Sequence, residues 1–318
     1  MKIFFVINLK RREQNPCSDM LQRFRELLDG SGHEYRIYEA DEPDVTATAI
    51  LGALDEGFDT LWIGGGDGTL NHVLNTTFGR NVTYGIVPMG TVNALARALR
   101  LPADPVETVE YLLNAQPVAT DVGEVNGHYF FTYATVGLHA AIFHNIDEQL
   151  KKKWGWLSFW ESAARTLWKK STLPRFVMEM ELADSPHGGS IRRDYGYSFT
   201  LSNLANYAGW STITAENPAS PGYFELHLFR RNRLWPMFIW FAFLRLFGIE
   251  KSRPNQGQLF DLIKWVKVRS HRKLSIQVDG EPIKPADRRN LNFTCHNDSI
   301  RLLLQGAEAA SLRAIPEK

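Results

Sequence analysis

The chain has 318 residues, 44% of them apolar, a net charge of +1, and two cysteines far apart, Cys17 and Cys295. That length supports one large domain or two modest ones with full cores, and a charge so near zero excludes a global field for nucleic acid. The cysteines show neither metal-ligand spacing nor a disulfide framework, which fits a reducing cytoplasm.

The apolar run over 2–8 is too short for a signal peptide and carries Lys10, Arg11 and Arg12 on the wrong side, so it reads as a first strand. A helix over 18–28 closes at Gly30, and a strand over 35–39 precedes a helix over 44–56, with Asp44 as N-cap and Gly57 ending it. Strand 60–63 runs into Gly64-Gly65-Gly66-Asp67-Gly68-Thr69, and a helix starts at Leu70. Strand 84–87 leads into Pro88-Met89-Gly90-Thr91-Val92-Asn93 and a helix through Leu99, stopped near Pro102. Strands alternating with helices on short loops predict a parallel α/β domain over 1–120. Ligands of such sheets sit at the carboxyl ends of the strands, where both loops lie.

The glycine loop carries the chemistry. Glycine lets the backbone turn sharply and approach a ligand closely, and the N–H groups of a following helix suit phosphate oxygens. Asp67 would repel a polyphosphate unless a cation or a proton-donating hydroxyl stood between them. The loop therefore points to a nucleotide polyphosphate with Mg²⁺, and so to phosphoryl transfer. No Walker loop occurs, and a dinucleotide fingerprint would need a small residue where Thr69 stands. A tight turn without a ligand is the alternative. Thr91 and Asn93 also suit helix N-capping.

From 121 onward, strands over 122–125, 129–136, 175–182, 195–202, 223–230, 265–269, 274–278 and 291–294 predict a mainly antiparallel sandwich over 121–305, with Asp279-Gly280 as a hairpin turn. Helical stretches over about 147–170 and 234–249 interrupt it. The second is apolar on nearly every side, yet its 16 residues include Pro236 and Arg245 and fall short of the ~20 that a spanning helix needs. It reads either as buried between domains or as lying at a lipid interface. Nine tryptophans include two basic-aromatic groups, Lys151-Lys152-Lys153-Trp154-Gly155-Trp156 and Arg230-Arg231-Asn232-Arg233-Leu234-Trp235. The tail, 306–318, either returns to the first domain or stays mobile.

Together, Gly65-Gly66-Asp67-Gly68-Thr69-x-Asn71, Pro88-x-Gly90-Thr91-x-Asn93-x-x-Ala96-Arg97 and Val278-Asp279-Gly280-Glu281-Pro282 resemble the diacylglycerol kinase catalytic family, which includes bacterial lipid kinases and sphingosine and ceramide kinases. Tyr207-x-Gly209 and Asn217-Pro218-Ala219 fit the same pattern, and the match covers about 1–305. A glycine-aspartate loop alone is shared with NAD kinases and phosphofructokinases; the combination in this order is specific to lipid kinases. The resemblance implies a nucleotide domain, a β-sandwich domain and a cleft between them for ATP–Mg²⁺ and a lipid hydroxyl. It implies ATP contacts from Asn8, Gly65, Gly66, Asp67, Gly68, Thr69, Leu70, Asn71, Thr91 and Asn93. Asp67 would act in catalysis and on the metal, and Glu281 would be the general base. Taken from the residues alone, Glu281 reads first as an exposed position after a hairpin turn. His139, Trp154, Trp156 and Trp235 would face the lipid, with peripheral contact at a membrane surface.

The chain departs from the family in several places. The first loop reads Asn8-Leu9-Lys10-Arg11 instead of Asn-Pro and a small turn. His72 replaces a glutamate, Ala94 stands where many members carry Asp, and His139 takes a usual Asp position. Pro221-Gly222 replaces an Asp-Gly that helps hold a structural Mg²⁺. His72 and His139 read as a surface and a cleft-lining imidazole. Two other readings stand beside the lipid kinase. One is a NAD kinase-like enzyme, disfavoured because the second domain lacks the corresponding Ser-Thr-Pro segment. The other is a degenerate kinase fold that binds nucleotide or lipid without turnover.

Overall fold

Ile3 through Ile7 of the first strand, β1 (Lys2–Ile7), are buried without alternation. A strand buried on both faces needs cover on both, which is how parallel sheets flanked by helices are built. The computed structural model describes residues 1–9, 16–40, 42–145, 157–169, 172–183, 189–203, 206–207, 211–212, 222–232, 235 and 257–306. Two compact units divide the chain: one is Met1–Asp121 and resumes at Asp298, the other is Val122–Asn297.

In the first unit β1 is followed by α1 (Pro16–Asp29), β2 (Glu34–Glu39), α2 (Pro43–Asp55), β3 (Thr60–Gly65), α3 (Asp67–Thr77), β4 (Thr83–Pro88), α4 (Ala94–Ala98) and α5 (Pro105–Leu113). The strands lie in the order β4-β3-β1-β2, every pair parallel. On one face Phe24 and Leu28 of α1 and Val109 and Leu112 of α5 pack with Phe5 and Trp62 of the sheet.

Helix starts are the main local differences from the sequence reading. The N-cap of α2 is Glu42 and not Asp44, because Pro43 takes the first helical position, where its missing N–H does no harm. α3 begins at Asp67 and not at Leu70, so Gly68 and Thr69 lie in its first turn. α5, which has no counterpart in the sequence reading, is capped by the Asp104 carboxylate, which accepts from the N–H groups of Val106 and Glu107.

The second unit contains β5 (Gln116–Val125, starting in the first unit), β6 (His128–Phe130), β7 (Tyr133–Val136), α6 (Leu138–His144), α7 (Leu157–Lys169), β8 (Phe176–Leu182), β9 (Ser190–Gly196), β10 (Ser198–Ser202), β11 (Asn206–Tyr207), β12 (Ser211–Thr212), β13 (Phe224–Phe229), β14 (Gly257–Ser270), β15 (Ile276–Val278), β16 (Glu281–Ile283) and β17 (Asn290–Leu304). One antiparallel layer runs β16-β15-β7-β10-β13-β14. The other runs β9-β8-β14-β17. β14 belongs to both. Its register shifts between Ile263 and Trp265, beside Leu262 at φ 56°, and such a bulge bends a strand. Val136, Phe199, Leu228 and Ile276 of one layer meet Met178, Val266, Leu291 and Phe293 of the other in a single core. Phe199 sits edge-on to Phe176 at 5.4 Å and to Phe293 at 5.5 Å. The fold class is as the sequence predicts: a parallel α/β unit and an antiparallel β-sandwich.

Several element boundaries differ here, among them that of β14, which begins at Gly257 where the strand is expected from 265. The strand expected over 129–136 is broken at Phe131-Thr132, and the one over 195–202 divides at Tyr197 into β9 and β10. The last strand is longer than expected and leaves the sandwich: Arg301 and Leu302 pair in parallel with Thr83 and Tyr84 of β4. Gln305 then donates its N–H to the Tyr111 hydroxyl at 2.7 Å. The helix expected over 234–249, except for Trp235, and the tail beyond Gly306 lie outside the described residues.

Candidate active site

Two loops meet at the carboxyl ends of β3 and β4. After β3 the chain passes through Gly66, the N-cap of α3; after β4 it passes through Met89–Asn93 into α4. The glycines between them are required by packing. A Cβ on Gly90 would stand 2.5 Å from the Gly66 Cα, and one on Gly65 would stand 2.7 Å from the Thr69 Cβ. Contacts that short do not occur, so the two backbones touch only because both positions are glycine.

Polar side chains tie the loops. Gly90 N–H donates to Asn93 Oδ1 at 2.8 Å, and Asn93 Nδ2 donates back to the Gly90 carbonyl at 3.0 Å. Asn93 holds a left-handed conformation at φ 52° and is the N-cap residue of α4, yet its side chain makes no capping bond there. The cap comes from Asp67, whose Oδ1 accepts the Ala94 N–H at 2.7 Å. Asp67 therefore joins the first turn of α3 to the start of α4, a role additional to the one expected from sequence. Asn8 completes the cluster: its N–H donates to the Gly64 carbonyl at 2.8 Å and its Nδ2 to Thr69 Oγ1 at 3.2 Å. Thr91 is exposed, Gly66 to Thr69 are half-buried, and Leu70 is buried in the sheet-facing side of α3. Asn71 accepts from Asn75 Nδ2 one turn later. His72 Nε2 lies 3.0 Å from the Pro43 carbonyl, a contact between α3 and α2.

In the second unit, β15 and β16 form a hairpin with Asp279 at φ 49° and Gly280 at φ 86°, the two positive values of a type I′ turn. The Asp279 side chain turns inward. One oxygen accepts from Phe131 N–H at 2.8 Å; the other accepts from Thr132 N–H at 2.8 Å, Thr132 Oγ1 at 2.5 Å and Tyr133 N–H at 3.2 Å. These bonds break the predicted strand at Phe131-Thr132. Burial pushes the Asp279 carboxyl up, and the four hydrogen bonds pull it back. Gly280 N–H donates to Gln277 Oε1 at 2.6 Å, so the turn is held from both sides. Glu281 follows directly, half-buried and paired in register with Val278.

His139 of α6 is packed near this hairpin, only 6% exposed, with its ring edge-on to Phe143 at 4.9 Å and its Nδ1 3.4 Å from Thr135 Oγ1. Gly280 lies by Phe143 and the Tyr133 hydroxyl. Trp235 is exposed, and Trp168 of α7, which the sequence reading does not single out, is 93% exposed. Trp154, Trp156 and Pro221 lie outside the described residues. Among the described residues no three His, Cys, Asp or Glu side chains gather as a metal cluster. Sequence reasoning misses Asp279 as an anchor, because its partners stand about 147 positions away. Asp-Gly at the turn was its one local signal.

The model of the diacylglycerol kinase catalytic domain matches residues 2–125. A diacylglycerol kinase of Staphylococcus aureus (strain MRSA252) is 24% identical over 292 residues, covering 89% of each chain. One from Staphylococcus carnosus (strain TM300) is 24% identical over 264 residues, 82% of this chain and 83% of its own. A crystal structure of a diacylglycerol kinase from Bacillus anthracis str. Sterne superposes with a TM-score of 0.68 at 16% identity, over 96% of this chain and 97% of that one, which shows the shared fold. The glycine loops at the ends of β3 and β4 lie within residues 2–125, which match the diacylglycerol kinase catalytic domain, and over most of its length the chain is similar to these lipid kinases.

Proposed function

We propose that the protein is an ATP- and Mg²⁺-dependent kinase that transfers the γ-phosphoryl group to a hydroxyl of diacylglycerol or a related lipid. The observation that supports this most is the pair of touching glycine loops tied by Asp67. It sets the start of α3 and the start of α4 side by side, and N–H groups at a helix start favour phosphate oxygens. Mg²⁺ at phosphoryl-transfer sites takes most of its ligands from water and phosphate, so the one carboxylate of Asp67 is a sufficient protein contribution. When bound, the metal nucleotide supplies the phosphoryl group and neutralises its charge.

The chain's own residues then have separate tasks. Gly65, Gly66, Gly68 and Thr69 line the phosphates with backbone, and Asn8 fixes the Thr69 hydroxyl. Glu281 takes the proton of the acceptor hydroxyl, which is a poor nucleophile until it is relieved of it. Asp279 and Gln277 hold the turn on which Glu281 sits. No helix among the described residues is long and apolar enough to cross a membrane. The lipid is met at the bilayer surface, where exposed Trp168 and Trp235 suit the headgroup region.

The test is incubation of purified protein with γ-labelled ATP, Mg²⁺ and a lipid extract. Label in a lipid product upholds the reading. Labelled NADP from added NAD would make the protein a NAD kinase, and nucleotide or lipid binding without any product would make it a non-catalytic binder.

A further inference from the structure

Three segments of the second unit lie side by side where β14 leaves the sandwich. Ser270 N–H donates to the Arg289 carbonyl at 2.8 Å, Leu274 N–H to the Arg288 carbonyl at 2.9 Å, and Ser270 Oγ to the Arg175 carbonyl at 2.9 Å. These bonds fasten the entry to β8, the β14–β15 turn and the β16–β17 loop into one surface. The strand register extends it: Tyr195 stands opposite Val177, Val177 opposite Arg269, and Arg269 opposite Asn290. Directly opposed residues point to the same side of a sheet, so these four form a row across β9, β8, β14 and β17.

The charge on this surface is nearly all of one sign. Residues 172–177, 269–275 and 284–290 carry Arg175, Arg269, Arg272, Lys273, Lys284, Arg288 and Arg289 against a single carboxylate, Asp287. Arg288 is half-buried and the other cations are exposed. Among the described residues none of them is in a salt bridge. Asp287 is engaged locally, by the N–H groups of Arg289 and Asn290 and by Asn290 Nδ2. The next row along the sheet, Arg193-Glu179-Lys267, is mixed, and there Arg193 pairs with Glu179 at 2.8 Å. The whole chain carries only +1, so the excess is local, and its self-repulsion destabilises the compact state until an anion relieves it.

Apolar groups are interleaved with these cations. Val177 is 54% exposed and Tyr195 42%, and the Arg175 guanidinium lies 4.6 Å from the centre of the Tyr195 ring. Cations beside an exposed aliphatic side chain and an aromatic one with a polar tip match a bilayer surface, with phosphates outermost and acyl chains beneath. A nucleic acid would engage the cations and leave Val177 in water.

We propose that this end of the sandwich is a docking surface for an anionic bilayer, on which Arg175, Arg269, Arg272, Lys273 and Arg289 meet lipid phosphates while Val177 and Tyr195 enter the headgroup layer. The choice of a bilayer over other polyanions rests on the lipid kinase reading, to which it adds the charge of the membrane. β15 leaves from one of these loops and β16 returns to another, so docking anchors the hairpin of Glu281 through two strands of three residues each.

The test is sedimentation with vesicles of phosphatidylcholine, alone or mixed with phosphatidylglycerol, in the absence of ATP and acceptor. The wild type should bind the mixed vesicles and not the neutral ones, and bind less as salt rises past ~0.1 M, where the screening length is ~10 Å. Each cation near such a surface contributes about fivefold in affinity, so Arg269→Gln, Arg272→Gln and Lys273→Gln together should weaken binding on the order of a hundredfold, with the melting temperature unchanged. Arg272→Lys combined with Lys273→Arg should bind as the wild type does. Val177→Ser should weaken binding roughly threefold and leave its salt dependence as it was. Equal binding to neutral vesicles, an affinity unmoved by the triple substitution, or a loss in the charge-preserving pair would each overturn the proposal. Duplex DNA that binds as tightly as the mixed vesicles, is lost in the triple variant and is indifferent to Val177→Ser would make this a nucleic-acid site instead. Protein that docks as expected yet phosphorylates no lipid would sink the kinase reading and leave the docking surface standing.

Discussion

Asp279 is the residue whose replacement should cost most for its size. Its carboxylate accepts four hydrogen bonds in a buried place, three of them on one oxygen and the Phe131 N–H on the other. In Asp279→Asn the amide oxygen keeps the group of three, while Nδ2 faces the Phe131 N–H, donor against donor. One bond to a charged acceptor is lost, so unfolding free energy should fall by ~1.5–3 kcal/mol. In Asp279→Ala all four donors lose their acceptor. At ~1–3 kcal/mol each, and allowing for entering water, the loss should exceed ~4 kcal/mol, which is exceptional for one substitution. Urea unfolding followed by tryptophan fluorescence measures both, and the order wild type, Asn, Ala is the expected result. Because the turn carries Glu281, kcat should fall in the same order while ATP affinity holds. If Asp279→Ala matched the wild type within ~0.5 kcal/mol, the carboxylate would not be the anchor of this hairpin.

Glu281→Gln keeps shape and hydrogen bonding but cannot accept a proton; kcat should drop ~10²–10⁴-fold with nucleotide affinity nearly unchanged, and an unchanged kcat would leave Glu281 an ordinary turn residue. Asp67→Ala should abolish turnover and also loosen α4, since the Ala94 N–H loses its acceptor, whereas Asp67→Asn keeps that bond and should lose only the chemistry. More than half the wild-type rate in Asp67→Asn would exclude a role for the charge. Burial lowers the His227 imidazole from 6.5 to about 4, so its contribution to stability is complete above pH 6.5 and is lost as the pH falls from there toward 4, where the unfolded chain takes up a proton that the folded one refuses. The loss is roughly 3 kcal/mol in that window, and His227→Gln should flatten the stability profile between those pH values.

Much of the first unit is legible from the chain itself because its signals are local. Apolar runs at 2–8, 60–63 and 84–87, each followed by a helix, specify a parallel layer with loops at one end. Asp279-Gly280 specifies a type I′ turn, since few other pairs accept positive φ at both positions. The division of labour inside the site is not local. The glycines at 65, 66 and 90 read as room for a ligand, while the structure shows that each other's loops and Thr69 also require them. Asn93 reads as the cap of its own helix, but the side chain that caps it is that of Asp67, which accepts the N–H of Ala94 from 27 residues earlier.

By itself, then, the sequence determines which residues share a helix, a turn or one side of a strand, because backbone geometry repeats every 3.6 or 2 residues. Ser198-x-Thr200-x-Ser202 and Glu225-x-His227 show this well. Their alternation assigns one polar and one apolar side, and a polar side ordinarily faces water. Only tertiary structure decides that this side is buried, that Thr135 and Gln277 extend it, and that Asp279 reaches back to Phe131-Thr132. Periodicity says which atoms lie together on a surface; the cover over that surface comes from segments many positions away, whose docking depends on packing and hydrogen bonds that no local pattern records.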